Sequence, residues 1–496
     1  MLVGAATTEG TYEFMVAHPD MSYQSLLHSC CYISQVGYGT YRFDRRHSDS
    51  MKLALRRGVN LIDTSAFYSV GESEDLIGEI LNELVEEGSL NRNQVYIVSK
   101  AGFVQIEDGD SVPGMFQLSD QIGYSIHPEF LESQLTGILG RLRLETLDCL
   151  LLHNPEQYLL WAKLNNVKFV DALQELEKQI AVTFDYLEME VRRGRIKCYG
   201  LSSNTLSQPK NHFTYLPLDR FHNIAKRIST NHNFHFIQFP MNLFETSAAT
   251  EENLPDKQSV LEFASVHQLN VLVNRPFDAM TEMLSLRLVD IPEETELAPV
   301  IDRNVCLDEL EEQEEQISMF IESLLKQLSK DERTKIKRKI SFSILYRKHR
   351  KTISSSLMMW QYSFQSWFDD LSADMHWIEE NYFLGLSEWN ELSRNYIAKL
   401  KEFDSVISYF LRESDRIRIR ELKLKLTSVH SQFHLNEKFS CQAIRALRMT
   451  EGIHSILVGM RKIRYVNEVS DECSRAVAKV DPFLLWSDIK KEIISR

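Results

Sequence analysis

Four side chains in this sequence have the types and the spacing to move a proton: Asp63, Tyr68, Lys100 and His153. A phenol with its ordinary pKa near ~10 is a poor proton donor at neutral pH and a worse base. An ammonium beside it favours the phenolate, and a carboxylate beside the ammonium holds that charge in place. An imidazole nearby could orient the atom that receives the proton. Each group follows an apolar run: Gly58-Val-Asn-Leu-Ile-Asp63 with Tyr68 shortly after, Val95-Tyr-Ile-Val-Ser-Lys100, and Leu147-Asp-Cys-Leu-Leu-Leu-His153. One such ending is an ordinary turn signal. Three buried strands that end in Asp/Tyr, Lys and His are how a parallel α/β barrel places chemistry, at the carboxyl ends of its strands.

The elements that must carry these groups alternate along the chain. A first strand is expected near Ile33 to Gly39. A short helix follows at Met51 to Arg57, closed by Gly58, and a longer one at Glu72 to Glu87, closed by Gly88. Pro128 to Leu142 is the next helix. The clearest one has Val170, Leu173, Leu176, Ile180, Phe184, Leu187 and Val191 spaced three or four apart, with Arg192, Arg193 and Gly194 as its stop. That stripe reads as core packing. Strands at Lys197 to Leu201, Phe236 to Pro240 and Val271 to Asn274 complete the first seven, and alternation of this kind builds a parallel sheet from crossover units.

At this point the sequence resembles the aldo-keto reductase superfamily. The resemblance rests on Gly37-Tyr-Gly39-Thr40, Gly58 to Gly78, Lys100-Ala-Gly102, His153-Asn-Pro-Glu156, Tyr199-Gly-Leu-Ser-Ser-Asn204, Gln238 and Ile456-Leu-Val-Gly-Met-Arg461. It spans roughly residues 30–276 and 435–470 and implies a (β/α)8 TIM barrel that reduces an aldehyde or ketone with NADPH, or oxidises the alcohol. In that family hydride passes from the nicotinamide to the carbonyl carbon. By resemblance Tyr68 is the proton donor, Lys100 and Asp63 tune it, His153 orients the carbonyl oxygen, and no metal takes part.

The resemblance also implies a cofactor site. Gly39 and Thr40 would pass close to the nicotinamide. Ser202 and Ser203 occupy the places of a Ser-Asn pair that bonds its carboxamide, with Asn204 shifted by one, and Gln238 would reach the same group. Asn274 stands where many members have a tyrosine that stacks on the ring, leaving Arg275 to stack or to reach phosphate. In the last segment Gly459 and Arg461 resemble a second phosphate-binding region, with Arg461 toward a ribose 2′-phosphate and Tyr465 and Glu468 toward the adenosine. NADP is favoured, with NAD as the alternative.

The resemblance lapses over Phe277 to His434, between strand seven and its helix at Lys438 to Met449; an eighth strand follows at Ser455 to Val458. Glu293 to Glu315 is acidic and Lys326 to Lys351 basic, which predicts solvated or mutually paired helix faces. Trp360, Trp367, Trp377 and Trp389 supply too much aromatic mass for a linker, so packed helices are expected. Arg416 to Lys425 alternates charged and apolar residues with period two, yet its Leu and Lys content suits a charged helix. An insertion rooted on the catalytic face of a barrel would overhang the site as a lid or serve as a docking platform. That keeps a reading of another class in view: a cofactor-sensing scaffold with the 277–434 insertion as its protein-partner surface. Residues 1–29 are expected to cover the bottom of the barrel, and residues 435–496 to hold its last helix–strand unit and C-terminal helices.

Composition narrows the classes further. The 496 residues suffice for one barrel plus additional helices, and a formal charge of −14 argues against a general nucleic-acid or membrane-surface binder. Seven scattered cysteines without CxxC spacing point to a reducing compartment and no zinc site, and a cytosolic location is expected. No run reaches the ~18 apolar residues of a membrane span. The absence of GxGxxG after a strand, of GxxxxGK[ST] and of GxSxG disfavours Rossmann, P-loop and α/β-hydrolase readings. His232 and His235 lie close together without a third ligand, which predicts a surface or capping role.

Overall fold

The computed structural model describes residues 1–106, 111–281, 285–292 and 302–494. It divides into two compact units, residues 1–277 with 426–496, and residues 278–425.

The first unit is a closed parallel barrel of eight strands: β1 (Val36–Gly39), β2 (Leu61–Asp63), β3 (Tyr96–Ala101), β4 (Leu147–His153), β5 (Ile196–Ser202), β6 (Phe234–Pro240), β7 (Asn270–Asn274) and β8 (Ser455–Val458). The strands pair in chain order, and Ile456 of β8 pairs with Val36 of β1 to close the ring. Strands covered on both faces read as nearly continuous apolar runs, and β3 and β4 are buried at every position. Helices α1 (Ser48–Arg56), α2 (Glu72–Glu86), α3 (Pro128–Leu142), α4 (Phe169–Arg192), α5 (Leu218–Ile228), α6 (Val260–Val266), α7 (Phe439–Met449) and α8 (Ile463–Cys473) follow the strands. Leu173, Leu176, Ile180, Phe184 and Leu187 of α4 are buried as their spacing demands, whereas Val170, in the first turn, is 62% exposed.

Register fixes the strand ends against one another: Gly39 pairs with Asp63, and Ser202 with both His153 and Gln238. The β5–β6 pairing shifts between Tyr199 and Gly200. A β-carbon on Gly200 would stand 2.0 Å from the Phe236 carbonyl oxygen, so this crossing requires glycine.

The N-terminal segment forms a helix at Thr8–Ala17 and a hairpin that pairs Tyr23–Ser25 with Tyr32–Ser34; the strand expected from Ile33 is therefore two short ones. Ala6, Leu26, Cys31 and Ile33 share one core cluster with Leu61, Val98, Leu151, Phe236, Leu272 and Leu457 from six barrel strands. The buried Asp148 carboxylate joins this segment to the sheet, accepting from the N–H of Ala6 (2.7 Å), the N–H of Ile97 (2.8 Å) and the Arg92 guanidinium (2.8 Å).

The second unit holds helices at Arg303–Leu324, Lys330–Lys339, Phe342–Ile353 and Leu357–Ile378, and most of a long helix, Ser387–Val429. Trp360 and Trp389 are fully buried in its core with Phe403, Tyr396, Leu310 and Ile321, Trp367 packs against them, and Trp377 is 43% exposed. Part of the acidic stretch, residues 293–301, lies outside the described residues. The remainder meets the basic stretch at Arg347, which pairs with Glu311 (2.6 Å) and approaches Asp308 (3.9 Å). Arg416 to Lys425 is helical: Asp415, Ile419, Leu422 and Leu426 are buried at a spacing of three and four, while Ile417 and Leu424 are exposed. Among the described residues no helix is long and apolar enough to cross a membrane.

Candidate active site

β2 and β3 deliver the charged pair. Lys100 Nζ donates to Asp63 Oδ1 at 2.6 Å, to the Thr64 carbonyl at 2.9 Å and to the Tyr68 hydroxyl at 3.3 Å. Both members of the pair are almost fully buried. A buried ion pair needs its remaining valences filled, and here Gln238 Nε2 donates to Asp63 Oδ2 at 2.8 Å. Behind the site Glu74 on α2 accepts from Ser99 Oγ at 2.6 Å and pairs with Arg141 at 2.7 Å, which fixes β3 one residue before the lysine.

Tyr68 opens a short turn in which Ser69 and Val70 both have left-handed backbones, φ 49° and 54°. Burial pushes the phenol above its ordinary pKa, and the Lys100 ammonium offsets this only in part. The expected fall in the phenol's pKa is thereby corrected: desolvation outweighs the cation, so Tyr68 holds its proton at neutral pH. Burial also opposes the charge on Lys100, but Asp63 and the Tyr68 oxygen more than compensate and keep the ammonium above its usual value.

His153 closes the group. Its ring lies edge-on to Tyr68, 6.0 Å between centroids, and its Nδ1 is 3.1 Å from Ser65 Oγ. Burial and the Lys100 charge hold it well below the usual histidine range, so the imidazole is neutral. Phe103 stands edge-on to His153 at 5.0 Å and stacks on Phe67 at 4.8 Å, and Tyr41 meets Tyr68 edge-on at 5.4 Å. The sequence reading passed over Ser65 and these rings; Ser65 stands two residues after Asp63, and the phenylalanines looked like ordinary core.

The residues assigned to a cofactor by resemblance fall into two sets. Thr40 Oγ1 donates to the Asp63 carbonyl at 2.9 Å. Ser202 Oγ donates to Gln238 Oε1 at 2.9 Å, and Asn274 Nδ2 donates to the same oxygen at 3.1 Å. Ser203 N–H donates to the Gln238 carbonyl at 2.9 Å. Asn204 is exposed, and its N–H donates to the buried Glu156 carboxylate at 2.8 Å. Burial raises the Glu156 pKa to about 7 against the lowering effect of that N–H. A β-carbon on Gly39 would make ordinary contact with the backbones of Val458 at 3.6 Å and Leu457 at 3.7 Å, so the protein itself does not demand glycine there. Arg275, in a left-handed conformation at φ 52°, pairs with Glu245 at 2.8 Å, a bond that competes with any phosphate or ring for its guanidinium.

The second set follows β8. Gly459 is exposed, Arg461 lines a surface cavity, Tyr465 accepts from Arg464 at 3.1 Å, and Glu468 pairs with Lys438 at 2.5 Å.

His232 and His235 are half-buried. They lie in a ring cluster with His28, His222 and His267, in which His28 stacks on His235 at 3.7 Å. Among the described residues no group of three or more His, Cys, Asp or Glu is placed to hold a metal ion.

A sequence model of the aldo/keto reductase family matches residues 35–250. Aldo-keto reductase YhdN of Bacillus subtilis (strain 168) is 21% identical over 262 residues, 51% of this chain and 61% of that protein. The NADH-specific methylglyoxal reductase of Escherichia coli (strain K12) is 30% identical over 106 residues, 21% of this chain and 30% of that protein. The chain thus spans less than two thirds of the length of either relative. Among solved structures, an aldo-keto reductase from Klebsiella pneumoniae in complex with NADPH is 16% identical with a TM-score of 0.33, over 52% of this chain and 69% of that one. The glycerol dehydrogenase AKR11B4 from Gluconobacter oxydans is 15% identical with a TM-score of 0.45, over 96% of each chain. The matched residues lie in the barrel unit, and it is there that the chain resembles the aldo/keto reductase family.

Proposed function

We propose that this protein is an NADP-dependent oxidoreductase that interconverts an aldehyde or ketone with its alcohol, with Tyr68 as the proton donor. The observation that carries the reading is the buried Lys100 ammonium, which touches the Asp63 carboxylate at 2.6 Å and the Tyr68 hydroxyl at 3.3 Å. In reduction the carbonyl oxygen becomes negative as hydride arrives, and Tyr68, protonated at neutral pH, supplies the proton. Lys100 stabilises the phenolate left behind. In the tautomer in which Nδ1 of neutral His153 accepts from Ser65 Oγ, Nε2–H is left to donate toward the carbonyl oxygen. Phe67 and Phe103 provide an apolar wall beside the site.

The residues present fit a nicotinamide cofactor, which supplies the hydride when bound. Asn274 Oδ1 is buried without a hydrogen-bond partner, beside the paired Ser202 and Gln238, and a carboxamide brings the donor that it lacks. Ser203 and Thr40 hold the loops around that position, and Arg461 stands for the 2′-phosphate. NAD remains the alternative cofactor, a preference printed in the name of the methylglyoxal reductase relative.

The scaffold reading draws on the size of the 277–434 insertion and on the amide Asn274 in the place of a stacking ring. Oxidation of NADPH by the purified chain with a panel of small aldehydes separates the two. Turnover above background supports the enzyme. Tight cofactor binding with no oxidation across the panel supports the scaffold.

A further inference from the structure

One run of hydrogen bonds crosses the barrel mouth from the end of β7 to the proton donor. It starts at Asn274, the last residue of β7. Asn274 Nδ2 donates to Gln238 Oε1 at 3.1 Å, and Gln238 Nε2 donates to Asp63 Oδ2 at 2.8 Å. The other carboxylate oxygen, Asp63 Oδ1, accepts from Lys100 Nζ at 2.6 Å, and Lys100 Nζ also donates to the Tyr68 hydroxyl at 3.3 Å. Gln238, Asp63 and Lys100 are all buried. The direction of each amide follows from one charge. A carboxylate can only accept, so Asp63 demands the nitrogen of Gln238. That leaves Gln238 Oε1 as an acceptor, which takes the Asn274 nitrogen as it takes Ser202 Oγ at 2.9 Å. Asn274 must then turn its own oxygen away from Gln238, and Oδ1 is buried without a partner. An unfilled buried acceptor is costly, and this one is the open end of a chain whose other end is the reacting phenol.

Bonds in such a chain polarise one another. A donor that arrives at an amide oxygen makes the N–H of that amide a stronger donor to the next group. The last amide here donates to a carboxylate, and that bond draws off part of the negative charge. Burial raises the Tyr68 pKa most, the Lys100 ammonium lowers it, and the Asp63 carboxylate raises it. A stronger bond from Gln238 to Asp63 therefore weakens the charge that opposes Lys100. The ammonium then acts more fully on the phenol, which becomes a stronger acid.

We propose that Asn274 and Gln238 are positioning residues that transmit occupation of the carboxamide site to Tyr68, so that binding of the nicotinamide readies the proton donor. The proposal rests on the oxidoreductase reading for what the proton is used for, whereas the relay itself is a property of binding. Gln238 acts through Asp63 and Lys100, and Asn274 acts through Gln238. The relay needs an amide at position 274, because the side chain there must accept on one side and donate on the other. Leucine at this place has the same reach and does neither.

Nuclear magnetic resonance of the side-chain amides in the whole chain tests the relay without turnover, with the Gln238 signals assigned through the backbone of β6. NADPH, whose dihydronicotinamide ring is uncharged, is compared at saturation with 2′-phospho-ADP-ribose, which keeps the phosphates and lacks the nicotinamide. NADPH is expected to move a Gln238 Nε2 proton downfield, and the truncated ligand is not. In Asn274→Leu, which leaves Gln238 Oε1 its bond from Ser202, the response to NADPH is expected to vanish. A chain that binds no NADPH, Gln238 signals that NADPH leaves unmoved or that both ligands move equally, or a response that survives in Asn274→Leu overturns the proposal. The pH profile of single-turnover reduction by NADPH-saturated protein then reads the far end of the relay. Asn274→Leu is expected to reduce more slowly and to keep its activity to higher pH than the wild type, because its phenol is the weaker acid. A slower variant with an unshifted alkaline limb marks a merely structural role and overturns the proposal. An NADPH response that depends on Asn274, in a chain that reduces no aldehyde, keeps the relay and rejects the oxidoreductase reading instead.

Discussion

The barrel unit and the helical unit use charge in opposite ways. At the mouth of the barrel, Asp63 and Lys100 are buried together and every near neighbour is enlisted to satisfy them: Gln238, the Thr64 carbonyl and the Tyr68 hydroxyl. In the helical unit the core is aromatic and aliphatic, and ion pairs such as Arg347 with Glu311 and Lys339 with Asp374 lie largely exposed. Burying an ion pair seldom adds stability over apolar packing, whereas an exposed pair adds little and costs little. A buried pair that touches a phenol fits the proton chemistry proposed for it, whereas the surface pairs of the helices add little.

Substitutions can break this contrast, and the largest effect is expected at Lys100. Lys100→Met leaves Asp63 buried without its cation, which should cost about 3–5 kcal/mol in urea unfolding. It also leaves burial to act on Tyr68 with less opposition, so the phenol's pKa rises further. Reduction needs the protonated phenol, so its loss on the alkaline side should move to higher pH. Oxidation needs the phenolate, so its rate at neutral pH should fall. An unshifted pH profile would reduce Lys100 to a structural cation.

Trp360→Ala probes the helical core. It removes a fully buried ring and the bond from its Nε1 to Asp404 at 2.7 Å, and a cost of about 3–5 kcal/mol is expected in the same unfolding assay. A cost under ~1 kcal/mol would show that the aromatic cluster does not hold this unit together.

Glu156→Gln should change stability by an amount that depends on pH. The native carboxyl has its pKa raised to about 7 from an ordinary 4.5, so between these values it keeps a proton that the unfolded chain has lost. Its contribution is full below about pH 4.5 and is lost as pH rises toward about 7, a change on the order of 3 kcal/mol. Glutamine keeps an acceptor for the Asn204 N–H and removes the titration, so the variant should gain on wild type across that window. Parallel stability curves from pH 4.5 to 7 would contradict this. The smallest effect belongs to Arg347→Ala, which breaks an exposed pair with Glu311 and should cost under ~1 kcal/mol; a loss above ~2 kcal/mol would mean the surface pairs do more than the contrast allows.

What could be read from the sequence follows the same physics. Barrel strands are buried on both faces, so each reads as an apolar run that stops where it reaches the mouth; Asp63, Lys100 and His153 stand out for that reason. The register between strands is not written locally. Nothing near Gln238 reveals that its amide will face Asp63 across the barrel, and nothing near Asn274 reveals that it joins the same oxygen as Ser202. Residues from ten to about two hundred apart along the chain likewise had to be brought together before His232 and His235 met His28, His222 and His267. In the segment Arg416 to Lys425 the period of two was misleading, because only every third or fourth residue faces the core. The direction of the Tyr68 shift needed the structure too, since the sequence shows the cation beside the phenol but not the depth at which both are buried.

The account's central claim is that Tyr68 gives the proton while Lys100, Asp63 and His153 prepare it. Single-turnover reduction of an aldehyde by NADPH-loaded protein, wild type against Tyr68→Phe, tests this most directly when cofactor affinity is measured on the same samples. The account predicts a rate lower by about 10²–10⁴ in the variant, with cofactor affinity unchanged and the fold intact by circular dichroism. A Tyr68→Phe protein that binds NADPH and reduces the aldehyde at the wild-type rate would contradict it.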